Sequence, residues 1–381
     1  MAEDTKIFPK VKSAPSTALA EGILEYDGRG GGFLRQRSLT MERKSSDPKI
    51  SREAIARYAI REGSIVVLRQ SAGRTADAGI ESINGLTPDR WLKIPEFSRR
   101  TAVDPHERLT LSNSPAEREM RIVDLICPVG KGQRALIVSP PKAGKTMLLQ
   151  NFARSIGGNH PEVDLLMLLV DERPEEVTEM RRQIRGEVFA SSNDSDREDH
   201  TRLAKIVLEY ARRKVETGRE VVLLIDSLTR MGRAFNSVQP GTGRTMSGGV
   251  DIRALEIPKR VFGAARALEG EGSLTIIATV LVDTNSRMDE LIFQEFKGTG
   301  NMELVLNRDL ANERIFPAIN IAESGTRREE LLFGGDTGRY QSLRRTLNAM
   351  KPKEAMLALR KAIDQYPTND ALLNRFRPDH G

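Results

Sequence analysis

Ser139-Pro-Pro-Lys-Ala-Gly-Lys-Thr146 follows the apolar run Arg134-Ala-Leu-Ile-Val138 and leads into Met147-Leu-Leu-Gln150. The order reads as strand, phosphate loop, helix. A β-branched run ending in a Pro/Gly/Lys loop presents several backbone N–H groups to a polyphosphate, and the following helix adds its positive dipole end. Lys145 stands where it can reach the β- and γ-phosphates, and the Thr146 hydroxyl is a ligand for a Mg²⁺ ion bridging them. The general pattern is GxxxxGK[ST]; Ser139 occupies the place of the first glycine, and a small residue there can still make the turn.

The chain has 381 residues, enough for two or three domains. Its longest apolar run, Leu274 to Val282, falls far short of the roughly 18 residues of a membrane span. Met1-Ala-Glu-Asp-Thr-Lys6 is polar and no apolar stretch follows, so no secretory signal is expected and the protein is expected in the cytoplasm. The lone cysteine, Cys127, excludes an intrachain disulfide and reads as a buried structural thiol. Lys and Arg exceed Asp and Glu by 59 to 53, a balance that permits a polyanion partner without requiring one.

Upstream of the loop, residues 1–19 read as a disordered arm. Residues 20–87 hold short β-rich runs, Gly22 to Tyr26, Gly32 to Gln36, Ser64 to Arg69 and Ala78 to Ile83, separated by Asp/Gly/Ser turns, with a helical turn at Ser51 to Ala59. Closely spaced short strands with an inserted helix predict a small barrel of the oligonucleotide-binding (OB) type. Residues 88–117, with Pro95, Pro105 and Pro115 among charges, read as a connector. Residues 118–381 alternate apolar strands (Ala135 to Val138, Asp164 to Val170, Glu220 to Ile225, Leu274 to Val280) with helices at Lys145 to Ser155, Glu175 to Ile184, Thr201 to Thr217 and Ile252 to Leu268, and close with helices from Tyr340 onward. The fold class is α/β, with a parallel sheet covered on both faces and its ligands at the carboxyl ends of the strands.

Asp226 ends the run Val221 to Ile225, where a carboxylate would hold the Mg²⁺ shell; an Asp in that place also serves as a helix cap. Asp171-Glu172-Arg173 ends the neighbouring strand and opens into the same crevice. Glu172 is placed to polarise an attacking water and Arg173 to sense the γ-phosphate, although the same turn also fits the start of a helix at Pro174. Transfer of the phosphoryl group needs one more positive charge, supplied by an arginine of a neighbouring subunit. Ser324-Gly-Thr-Arg-Arg328 offers Arg327, which without other information reads as a solvated arginine.

Together, Gly130-Lys-Gly-Gln-Arg-Ala135, Pro140-Pro-Lys-Ala-Gly-Lys-Thr-Met-Leu-Leu-Gln150, Asp171-Glu-Arg-Pro-Glu-Glu-Val-Thr-Glu-Met180 and Glu295-Phe-Lys-Gly-Thr-Gly-Asn-Met-Glu-Leu304 resemble the bacterial transcription termination factors of the Rho family. The likeness runs from about Glu21 to the C-terminus. In that family the position of Ser139 is not a glycine. The resemblance implies an OB barrel followed by a RecA-like ATPase domain, assembled as a homohexamer that hydrolyses ATP with Mg²⁺, moves single-stranded RNA through a central pore and releases the transcript from RNA polymerase.

It also implies roles for single residues. Pro141, Lys142, Ala143, Gly144, Lys145, Thr146 and Met147 would wrap the phosphates, and Gly130, Lys131, Gly132, Gln133, Arg134 and Ala135 would line the nucleotide site. Met147 and Phe316 would sandwich adenine. Lys145, Glu172, Arg173, Asp226 and Arg327 form the catalytic set, Thr146 and Asp226 hold the metal, and Arg314 accompanies the arginine finger Arg327. Two loops would carry RNA in the pore, Arg244 to Gly249 through Arg244 and Asp283 to Arg287 through Thr284 and Arg287, with Lys297 facing the same channel. In the barrel the family stacks bases on a strand resembling GFGFLR; here Gly30 to Arg35 keeps Phe33 and Arg35 and has Gly31 in place of the first aromatic. The arm before Glu21 is shorter than the helical subdomain that precedes the barrel in the family. Weaker or less pyrimidine-selective RNA capture is the expectation.

Overall fold

Turn-rich, alternating sequence builds the first unit. The computed structural model describes residues 18–69, 79–238, 249–251 and 253–376. Strands β1 (Ala18–Tyr26), β2 (Gly32–Arg35), β3 (Lys49–Ile50), β4 (Ile65–Arg69) and β5 (Ile80–Ile83) form an antiparallel sheet in the order β3-β2-β1-β4-β5. Helix α1 (Arg52–Arg57), capped by the Ser51 hydroxyl, and α2 (Pro88–Trp91) close its apolar side. Leu24, Leu34, Ile50, Val66, Ile83 and Trp91 are buried together, and the Trp91 indole donates to the Ala59 carbonyl at 3.1 Å. β1 and β2 cross closely because Gly22 and Gly32 allow it: a Cβ at Gly32 would stand 2.6 Å from the Glu25 carbonyl oxygen.

The second unit threads β6 (Ala102–Val103), β7 (Arg108–Leu109), α3 (Arg118–Ile126), β8 (Val129–Gly130), β9 (Arg134–Ser139), α4 (Lys145–Asn159), β10 (Asp164–Glu172), α5 (Pro174–Gln183) and β11 (Glu187–Ser192). It continues through α6 (Arg197–Glu216), β12 (Glu220–Asp226), α7 (Leu228–Val238), α8 (Glu256–Phe262), β13 (Arg266–Leu268), β14 (Ser273–Leu281), α9 (Arg287–Lys297), β15 (Met302–Val305), α10 (Arg308–Asn312) and β16 (Gly325–Thr326). The main sheet runs β11-β10-β12-β14-β9-β15-β16, parallel except for the antiparallel edge strand β16. Leu165 to Val170 and Val221 to Ile225 are buried on both faces, as an unbroken apolar strand requires. Helices α11 (Glu330–Phe333), α12 (Thr337–Asn348), α13 (Pro352–Gln365) and α14 (Asn369–Leu373) follow, and α13 packs against α3.

The predicted helix from Ile252 to Leu268 is corrected. Among the described residues of that span only Glu256–Phe262 is helical, and Arg266–Leu268 is a strand antiparallel to β14. Gly263 follows the last helical residue, and the chain then turns back onto the sheet. β11 and β15 were not anticipated as strands; each is short and escapes a reading that relies on long apolar runs. Trp91 belongs to the barrel core, whereas Phe97, β6 and β7 attach to the larger unit, β6 through β13 and β7 through β8. The barrel is fastened to α6: Arg61 pairs with the fully buried carboxylate of Glu216 at 2.6 Å, and the Phe97 N–H donates to its other oxygen at 2.7 Å. Cys127 is buried, and burial pushes its thiol up to about 12, which fits the structural role read from sequence. Among the described residues no helix is long and apolar enough to cross a membrane.

Candidate functional site

Parallel strands carry their carboxyl ends to one edge, and the residues predicted for phosphate chemistry converge there. β9 ends at Ser139, and the loop turns into α4 at Gly144, whose φ of +91° is a left-handed conformation that a side chain would strain. Lys145 opens the helix and Thr146 follows. The Lys145 ammonium is bonded to the Asp226 carboxylate and stands 3.9 Å from Glu172. Asp226, at the end of β12, also accepts a hydrogen bond from the Thr279 hydroxyl at 2.8 Å. Glu172, at the end of β10, is 2% exposed, and neither of its carboxylate oxygens accepts a hydrogen bond, although the Arg230 guanidinium lies 3.3 Å away.

Thr279 and Arg230 were missed. The β12–β14 register pairs Ile225 with Ala278, so Thr279 comes beside Asp226, and a hydroxyl interrupting Leu274-Thr-Ile-Ile-Ala-Thr-Val280 was the available signal. Arg230 lies one helical turn beyond Asp226, and it also donates to the Asp171 carbonyl.

Burial, followed by the nearby Asp226 charge, pushes the Glu172 carboxyl from 4.5 up to about 7, against the pull of Lys145 and Arg230. The folded state therefore holds this proton more tightly than the unfolded chain. The resulting stability is fully present below about pH 4.5 and is lost as pH rises through 7. Glu172→Gln, which cannot ionise, is expected to melt above the wild type at pH 8.5 without nucleotide, by on the order of 3 kcal/mol at most, with the advantage shrinking toward pH 5. Equal melting temperatures at both pH values would contradict the assignment.

Two acidic groups and a hydroxyl at a parallel-sheet edge, with buried carboxylate oxygens that no protein donor satisfies, suit a Mg²⁺ ion accompanying a polyphosphate. Asp226 and Thr146 are the residues that would hold it. Beside the loop a cavity of about 270 Å³ is walled by Met147 and Phe316, which are 58% and 37% exposed, as a base-stacking slot requires. The expected pair is thus brought together. Arg173 is exposed at the cap of α5, immediately after Glu172.

Other predicted residues lie elsewhere. Gly130 to Ala135, assigned to the nucleotide site, stand apart from this chain's own phosphate loop. They precede and begin β9, so the strand from Leu136 to Ser139, roughly 13 Å, separates even Ala135 from the loop. Gln133 and Arg134 are spent on Asn301, Thr299 and Ala265. Arg327 is exposed at this same amino edge, because β16 pairs with β15, and Met302 of β15 stands beside Ala135. Its charge helps burial hold the Arg134 guanidinium below its ordinary value. Arg314 is exposed after α10, two residues before Phe316.

Arg35 is corrected too. It is 5% exposed and holds Glu25 at 2.5 Å and Asp47 at 2.7 Å, so its fork is committed inside the barrel. Phe33 is half-buried, with Lys49 across the strand pair and its ammonium 5.9 Å from the ring. Phe33→Ala is expected to weaken single-stranded RNA binding by roughly 5- to 150-fold with only a small change in melting temperature, whereas Arg35→Ala should lower the melting temperature first, because it removes a buried guanidinium shared by Glu25 and Asp47 and leaves Glu25 to Arg43 and Arg202. Fluorescence anisotropy with a short oligocytidine and thermal unfolding separate the two. Arg244 lies outside the described residues. In the second loop the Thr284 hydroxyl donates to Asp289 at 2.7 Å, and Asp289 is held by Arg233 at 2.5 and 2.8 Å, which ties this loop to α7. Arg287 and Lys297 are exposed at the two ends of α9.

A RecA-like nucleotide-binding ATPase joined to an OB-type half-barrel is what this fold and site define. Residues 119–326 match the ATP synthase alpha/beta family, nucleotide-binding domain. The chain is 48% identical over 371 residues to the transcription termination factor Rho of Streptomyces coelicolor, covering 97% of this chain and 88% of that protein. It is likewise 48% identical over 363 residues to that of Aquifex aeolicus, covering 93% and 83%, and 45% identical over 366 residues to that of Pseudomonas aeruginosa, covering 94% and 87%. Among solved structures, an ATPase from the type III secretion system of pathogenic bacteria aligns with a TM-score of 0.60 over 74% of this chain and 86% of that one, at 21% identity, a likeness of fold alone. The chain belongs to the transcription termination factor Rho family.

Proposed function

We propose that this protein terminates transcription as a homohexameric, RNA-dependent ATPase that draws single-stranded nascent RNA through its ring and releases the transcript from RNA polymerase in the cytoplasm. The observation that carries the reading is a hydrolytic set split between two edges: Lys145, Thr146, Glu172 and Asp226 at the carboxyl edge, and Arg327 at the amino edge of the same sheet. A strand's length keeps Arg327 from its own loop, so the finger acts only on nucleotide held by a neighbouring subunit, and a ring gives every site such a neighbour. Gly130 to Ala135, at that edge, likewise meet only a neighbour's nucleotide.

On ATP binding Lys145 exchanges Asp226 for the β- and γ-phosphates. Mg²⁺, when bound, spreads the charge of the phosphate oxygens. Ionised Glu172 orients the attacking water and draws its proton, Arg173 contacts the γ-phosphate, and the neighbour's Arg327 neutralises charge building on the equatorial oxygens. Exposed Arg287 and Lys297 offer RNA phosphate contacts, Thr284 steadies their loop through Asp289, and Arg244 is assigned to the companion loop.

Halted elongation complexes test the termination step directly. Adding the protein with ATP should free labelled transcript from RNA polymerase, and a nonhydrolysable analogue should not. Retention of transcript under both conditions would contradict the reading.

A further inference from the structure

The slot beside the phosphate loop is nearly all apolar: Ala143, Met147, Leu148, Leu306, Phe316 and Pro317 supply its walls. Two polar side chains interrupt them, Glu119 from the first turn of α3 and Asn151, one turn beyond Met147 on α4. In an apolar cavity a few polar groups set which ligand is accepted, because each must find a partner when water is displaced. An amide can donate or accept, so Asn151 tolerates either kind of base edge. An ionised carboxylate only accepts. We propose that Glu119 is the base-selecting residue of the nucleotide site, accepting a hydrogen bond from the exocyclic 6-amino group of a purine held between Met147 and Phe316.

The proposal rests on the ATPase reading and deepens it. A purine with an oxygen at position 6 turns a lone pair toward a carboxylate aligned with that position, and its N1–H lies one ring atom away, so the pair is satisfied only if the base shifts in the slot. Inosine triphosphate replaces the 6-amino group by oxygen and adds nothing at position 2, but it also turns N1 from an acceptor into an N–H donor, so the contrast with ATP reads the 6-amino edge as a whole. Glu119 has a competing structural role, because an acid in the first turn of α3 complements the helix dipole. That role predicts a change in stability that is indifferent to the base.

The test is competition of ATP, inosine triphosphate and GTP against a fluorescent ADP analogue on the full-length protein and on Glu119→Gln and Glu119→Ala, with melting temperatures recorded alongside. The wild type should favour ATP over inosine triphosphate by roughly 10- to 100-fold. Glu119→Gln, whose amide can donate to O6, should bring the two within a few-fold of one another, and Glu119→Ala should lose affinity for ATP more than for inosine triphosphate. An unchanged ratio in both variants overturns the proposal, as does a wild type that prefers GTP. Failure of the wild type to bind any triphosphate would overturn the ATPase reading itself.

Discussion

Glu172→Gln is expected to lower steady-state ATP turnover by about 10²- to 10⁴-fold while leaving ATP affinity within a few-fold of the wild type. The side chain is nearly isosteric, and it sits at the end of β10, where Glu172 pairs with Ser192 of β11, so geometry survives the change. What is lost is the ability to accept a proton. The carboxyl is suited to the task because burial and Asp226 bring it to about 7, close to the pH at which it must exchange protons. Lys145 remains to bind phosphates, so binding persists. Nucleotide affinity by calorimetry and phosphate release measured on the same preparation separate the two effects. Turnover within about threefold of the wild type would remove Glu172 from the mechanism.

Arg327→Ala should cost about 10³-fold or more in turnover, the range for an arginine that meets transferring phosphate from a neighbouring subunit. The distinctive expectation is complementation. Arg327→Ala supplies an intact phosphate loop and Lys145→Ala an intact finger; each alone should be inactive. Because the two residues lie at opposite ends of the β9–β15 pair, mixed rings contain interfaces where both functional halves meet. Dissociating and reassembling an equal mixture should restore measurable turnover. No recovery after verified mixed assembly would argue that Arg327 does not act across subunits.

Much of the candidate site at the carboxyl edge was legible because chain direction and residue type agree. A phosphate loop after a buried strand, a carboxylate at the end of an apolar run, and Asp171-Glu172-Arg173 ending the next run all point to the carboxyl edge of one parallel sheet. Thr279 and Arg230 were not legible, since their place beside Asp226 and Glu172 depends on inter-strand register and on the path of α7. Arg35 was misread for a related reason: Glu25 and Asp47, which bury its charge, arrive from other parts of the barrel. Gly130 to Ala135 were assigned to the nucleotide site with no edge specified. Residues that precede a strand belong to its amino edge, and chain direction already implied that they stand apart from a loop that follows it.

Steady-state ATP hydrolysis by the purified protein, with and without single-stranded RNA, tests the central claim most directly. Poly(C), poly(A) and single-stranded DNA should be compared. The account predicts strong stimulation by RNA and little by DNA, with a poly(C) to poly(A) ratio narrowed by the single aromatic platform Phe33. Turnover that is the same with and without RNA would contradict it, and would leave a ring ATPase whose barrel serves assembly.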